Sequence, residues 1–349
     1  MRLIKAMLLT LSMLLTAPVA WGQSSAVTQE GNYPDQILVQ PRLSTGKKRI
    51  RCRIIDYTGE AVTVREVDAN ANKTYATSEV TRVETPQSRQ QQDGLKLLAA
   101  GEASAAEAKL LEALTLDPRE WVKREILADL VRAALFRGDY VTAATRMDRI
   151  FASDETTHHL ELLPAVWTEK VLTKSQIRSA ADLIGGESQI ERLVAASILL
   201  FQPGFEETSK QILLEFKNTG HRRLQPLAES QLWRLELKAK DLSVFTIEQW
   251  QRHIERLPTR ERGGPYYLLA QAYDFKLLRD EAALTYLRIP VLYPHDRLLS
   301  AQSLLSAAEV LRSAGRGQES ITIYRELVAR YQGTDAAGKA DAVLKSLAE

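Results

Sequence analysis

The feature that most constrains this chain is a recurring pair of small residues set twelve positions apart. Gly94 precedes Ala106, Val131 precedes Ala143, Ala270 precedes Ala282 and Ala308 precedes Ser320, each by twelve residues. Bulky apolar residues follow at fixed offsets: Leu110 after the first pair, Met147 and Ile150 after the second, Tyr286 and Ile289 after the third, Tyr324 and Leu327 after the fourth. Two antiparallel helices joined by a tight turn approach closely only where small residues face each other. The larger residues beyond the turn then fill the space to the next hairpin. One hairpin cannot bury both of its faces, so the unit has to recur and be capped.

The pattern runs through the chain from Ser88 onward, with Gly, Asn and Pro mainly at the joints. The 139 residues between Val131 and Ala270 leave room for three further hairpins, read near Thr157 to Ile184, Ser188 to Lys217 and Arg222 to Leu257. Trp233 and Trp250 in the last of these read as core, and an amphipathic segment from Ala336 to Leu347 reads as the cap.

The small-residue positions, with Pro118 and Pro294 closing two of the units, resemble the tetratricopeptide repeat. Val131 and Ser320 depart from its preference for Gly or Ala, and Gln90, Leu127, Tyr266 and Leu304 stand where its first-helix tryptophan falls. With the leader, the basic β-segment and "REWVKREILADL", the chain also resembles exported bacterial tetratricopeptide proteins, and its last two repeats are similar to those of envelope assembly factors. The resemblance covers roughly residues 88–349. It implies a mainly α fold, a TPR-like α-solenoid of helical hairpins, and only loosely a function.

Ahead of the repeats the period is two. From Asp35 to Thr85 about five short strands alternate with turns such as "YTGE", which suits a small SH3-like β-barrel domain over residues 35–86. Within it, Lys47, Lys48, Arg49, Arg51 and Arg53 form a cationic run. On a strand, Arg49, Arg51 and Arg53 share one face and Ile50, Cys52 and Ile54 the other. The apolar face belongs to the core. The cations are a hydrated sheet face or a binding face for an anionic envelope polymer.

Residues 1–22 read as a cleaved export signal: Arg2 and Lys5 precede an apolar run from Ala6 to Ala20, which at about 22 Å is too short for a bilayer core of roughly 30 Å. Residues 23–34 read as a linker. The expected location is periplasmic or extracellular, without lipid attachment or a transmembrane segment after cleavage. Lys and Arg number 46 against 44 acidic residues, so no global field draws the chain to nucleic acid. The lone Cys52 rules out an internal disulfide framework.

No GxSxG, phosphate loop, HExxH or CxxC pattern occurs. No cofactor and no metal are expected. His158 and His159 are adjacent, and on a helix adjacent side chains diverge by about 100°, which suits chelation poorly. The expected function is a non-catalytic scaffold that binds a protein or peptide in a concave groove lined by the first helices of the hairpins: Glu125, Arg132, Tyr267, Gln271, Asp274, Gln302, Glu309 and Arg312. An enzyme with an unrecognised site between residues 157 and 257 would show itself as buried carboxylates with shifted titration there.

Overall fold

A computed structural model describes residues 34–41, 46–67, 71–168, 172–240 and 242–347. The export signal and all but the last residue of the linker lie outside the described residues. The chain divides into two compact units between Pro86 and Gln87.

Among its described residues the first unit is a five-stranded antiparallel sheet: β1 (Asp35–Val39), β2 (Lys48–Tyr57), β3 (Ala61–Glu66), β4 (Asn72–Ala76) and β5 (Val80–Glu84), in the order β4-β3-β2-β1-β5. Alternation decides its core. Ile37, Val39, Ile50, Cys52, Ile54, Val62 and Val64 are buried on one side, while Arg49, Arg51 and Arg53 are exposed on the other. The buried Asp35 holds an irregularity in the β2–β3 pairing. Its Oδ2 accepts from the Ile54 amide at 2.8 Å and its Oδ1 from the Thr85 hydroxyl at 2.5 Å. Burial pushes the Cys52 thiol up to about 12, with the nearby Asp35 and Glu66 charges adding to it, so this cysteine is inert packing.

The second unit holds fourteen α-helices among the described residues: α1 (Arg89–Ala99), α2 (Ala103–Leu116), α3 (Glu120–Phe136), α4 (Tyr140–Ser153), α5 (Lys174–Ile184), α6 (Gln189–Leu199), α7 (Glu206–Thr219), α8 (Gln225–Ala239), α9 (Val244–Arg256), α10 (Gly263–Phe275), α11 (Arg279–Leu292), α12 (Arg297–Ser313), α13 (Gly317–Arg330) and α14 (Asp335–Ser346). Short 3-10 turns occupy His158–Leu162 and Thr259–Glu261. Side-chain caps start many of the helices: Ser88, Asp139, Thr173, Ser188, Ser243, Asp296 and Thr334 each accept from an amide of the first turn.

Most helices pack on their sequence neighbours, and α12 also reaches α3. The small residues sit where the hairpins cross. Ala106, Val131, Ala143, Ala270, Ala282 and Ala308 are fully buried, and the Ser320 hydroxyl donates to the Ala308 carbonyl at 2.8 Å across the α12–α13 crossing. Trp233 and Trp250 stack in the core, with ring centroids 4.6 Å apart and planes 6° apart.

One expected hairpin is corrected. Among the described residues between Thr157 and Ile184 there is a single α-helix, α5, and what precedes it is the 3-10 turn followed by a non-helical strap through residue 168. Pro164 accounts for this, because it lacks an amide and drives Leu163 out of the helical region, to φ −50° and ψ 119°. The turn and strap are apolar and buried at Leu160, Leu162, Leu163, Ala165 and Val166. Accordingly α4 packs on α6 as well as only lightly on α5.

Candidate functional site

A cluster of charged side chains lies where α3 meets this turn and strap. Glu125, Asp129 and Arg132 recur at the helical spacing that puts them on one face of α3. Opposite them, Asp154 accepts from the Thr156 amide at 3.0 Å and the Thr157 hydroxyl accepts from the His159 amide at 3.2 Å, which sets the start of the 3-10 turn. The two imidazoles then converge instead of diverging: their centroids are 4.0 Å apart. His158 Nε2 lies 3.3 Å and His159 Nε2 3.0 Å from the same Glu125 oxygen. The 100° divergence expected of a helical pair does not apply, because the pair sits at the first two positions of a capped 3-10 turn rather than inside an α-helix.

Arg132 donates to Asp129 at 2.7 Å and lies 4.0 Å from Glu161, which Arg260 approaches from the other side at 3.5 Å. Arg223 donates to the Thr157 carbonyl at 2.7 Å and to Glu261, tying the strap to the turn before α10. Trp167 lies flat on α10, where a Cβ at Gly264 would come within 2.1 Å of the indole.

Burial governs the charge states. It opposes the Glu125 charge, but the two histidines overcome it and hold the carboxyl well below the usual range. Asp129 is pushed up to about 6 by burial, with the Glu125 charge adding to it and Arg132 opposing it. Burial also raises Glu261, against the pull of Arg223, and Asp296, whose carboxylate caps α12 by accepting from the Leu299 amide at 2.9 Å. His159 and His295 are both lowered by burial. Buried carboxylates raised by burial are therefore present, among them positions 129, 261 and 296, which flank residues 157–257 rather than lying within them. Each has an internal partner. A small cleft opens beside Glu261 and Asp296, with Leu160, Glu161, Trp167, Arg260 and His295 on its walls.

The structure separates the expected groove residues into three groups. Glu125 and Arg132 face the strap and are occupied by it. Tyr267 is only 3% exposed, with its ring edge-on to Tyr286 and its hydroxyl 3.3 Å from that of Ser306; its place as an open lining residue is corrected to packing between hairpins. Gln271, Asp274 and Gln302 are half-buried, and Glu309 and Arg312 are exposed. Asp274 pairs with Arg279, while Glu309 and Arg312 make no salt bridge among the described residues. The strap could not be foreseen because its two halves read as a hairpin; the signal that would have found it is Pro164 inside "ELLPAVW".

At the tip of the α10–α11 hairpin stands a residue that the repeat pattern did not single out. Gly101, Gly138 and Gly315 close three sibling turns with φ of 83°, 71° and 76°, and Leu277 occupies the same place with φ 61°. The hydrogen bonds are the same in kind: Leu277 and Leu278 donate back to Asp274 and Tyr273, as Gly315 and Arg316 do to Arg312 and Leu311. Arg316 bonds Asp280 at 2.6 Å, so these two turns lie side by side.

In the β-unit, Lys47, Lys48, Arg49, Arg51 and Arg53 are all exposed. Arg65 joins them, opposite Arg53 in the β2–β3 ladder. Among the described residues no helix is long and apolar enough to cross a membrane. No protein-family model matches the chain, and no curated protein matches it.

Proposed function

We propose that this chain is an exported, non-catalytic scaffold that binds a protein or peptide partner, its hairpins forming a tetratricopeptide-like solenoid and its sheet an SH3-like barrel. The observation that carries the reading is Leu277. A non-glycine residue in the left-handed region costs about 1–2 kcal/mol, and this one is also 70% exposed, next to the exposed Phe275 and Leu278. Neither folding nor solubility favours it, and contact with a partner accounts for it. Arg312 lies one turn before the adjoining tip, so the partner surface runs from Asp274 and Leu277 to Glu309 and Arg312. The strap closes the Glu125 and Arg132 end of the expected groove and leaves this end open.

The test is cross-linking and pull-down in the native envelope with Leu277→Asp plus Arg312→Glu. Loss of captured partners, with the melting curve retained, supports the reading, and an unchanged partner set refutes it.

A second reading, affinity for an anionic envelope polymer, is favoured by one observation: Arg53 faces Arg65 directly, an arrangement that costs stability unless an anion lies between them. Salt-sensitive binding of the full chain to an anionic glycan, lost in Arg53→Ser plus Arg65→Ser, supports it.

A further inference from the structure

We propose that Glu125, His158 and His159 form a binding site for a divalent transition-metal ion of the zinc class. One carboxylate oxygen and two imidazole nitrogens, all within 4.8 Å of one another, make up the set. Ligand bonds of about 2.0–2.1 Å at tetrahedral angles place neighbouring donor atoms about 3.3–3.4 Å apart. The two distances to Glu125, 3.0 and 3.3 Å, sit close to that edge length. On these two edges an ion needs adjustments of a few tenths of an ångström, and on the edge between the imidazole nitrogens, which is no longer than 4.8 Å, a rotation of the His158 side chain closes the remainder.

The chemistry of the set points the same way. Two neutral imidazoles and one carboxylate carry a net charge of −1, and mixed nitrogen and oxygen donors suit zinc and its neighbours rather than calcium or magnesium. Asp129 and Glu161 add negative charge nearby and Arg132 offsets part of it. His159 is 5% exposed at its side chain and its amide donates to the Thr157 hydroxyl, whereas His158 and Glu125 are 21% and 34% exposed, the side from which a water would enter as a further ligand. The site joins a helix to a strap 33 residues further along the chain. Metal binding would staple that strap across α3, a structural role distinct from the partner surface at Leu277.

The experiment uses the full chain, stripped with a chelator and titrated with Zn²⁺ alone. One equivalent bound, X-ray absorption showing two imidazoles and a carboxylate oxygen at about 2.0–2.1 Å, and a melting midpoint raised by zinc support the site. His158→Gln should weaken binding by at least about 10-fold, the scale on which even outer-shell partners act, and abolish the zinc-dependent rise. Because His159→Gln removes a buried ring and can unfold the strap, the partly exposed His158→Gln and Glu125→Gln variants carry the test, each with its metal-free melting curve. His221→Gln, outside the cluster, should bind as the parent does. Absence of zinc binding in the parent, or binding undiminished in both His158→Gln and Glu125→Gln, overturns the proposal.

Discussion

Arg53 on β2 and Arg65 on β3 stand directly opposite each other in an antiparallel ladder, two exposed cations on one sheet face. Opposed like charges destabilise a sheet and opposed unlike charges stabilise it, by roughly 0.2–1 kcal/mol either way. Arg65→Glu should therefore raise the stability of the β-unit, by about 0.5 kcal/mol at low salt and by less at high salt. Denaturant melts at two ionic strengths check this. The same variant should bind anionic glycan more weakly, a trade that an ordinary solvated face would not show.

Leu277 pays for a conformation that its three sibling turns give to glycine. Leu277→Gly should stabilise the helical unit by about 1 kcal/mol, since it relieves left-handed strain and removes a largely exposed side chain. The expected signature is a higher denaturation midpoint with an unchanged slope. A fall in stability would mean that the Leu277 side chain makes contacts that outweigh the strain.

Gly264 touches the face of Trp167. A methyl group there would come within 2.1 Å of a rigid ring rather than the free end of a flexible chain, so the strap must move. Gly264→Ala should cost about 1–3 kcal/mol, the usual range for overpacking, and shift tryptophan fluorescence towards the solvent-exposed form. Gly185, with nothing within 4 Å of its Cβ position, provides the control substitution and should leave the fluorescence unchanged.

Asp129 supplies a pH dependence whose sign is fixed. Its folded value, about 6, lies above its ordinary 3.8, so the stability it contributes is fully present below about pH 3.8 and is lost as the pH rises through 6. Asp129→Asn should be more stable than the parent at pH 7, by on the order of 3 kcal/mol, and indistinguishable from it near pH 3.5. Equal stabilities at both pH values would rule out the burial argument.

Much of the local architecture was legible in the residues themselves. The alternation Arg49 to Ile54 separates a wet face from a dry one, because side chains on a strand alternate by geometry alone. The spacing Ala308 to Ser320 marks a helix crossing because only small side chains let backbones come that close. The same periodicity misread residues 157–184, where the apolar pattern persists but Pro164 forbids the first helix, and it misplaced Tyr267, whose helical position was right but whose neighbour on the next hairpin, Ser306, could not be seen.

By itself, the sequence determined which faces are apolar, where the hairpins turn and which strand face carries the arginines, since each depends on residues only a few positions apart. Tertiary structure alone decided that a buried strap follows the turn facing Glu125 and Arg132, that Trp167 lies on Gly264, and that Glu125 meets His158 and His159. Those meetings join residues from 33 to 97 positions apart, and no local period encodes them: they depend on the path of the intervening chain, which is set by the packing of all the hairpins together.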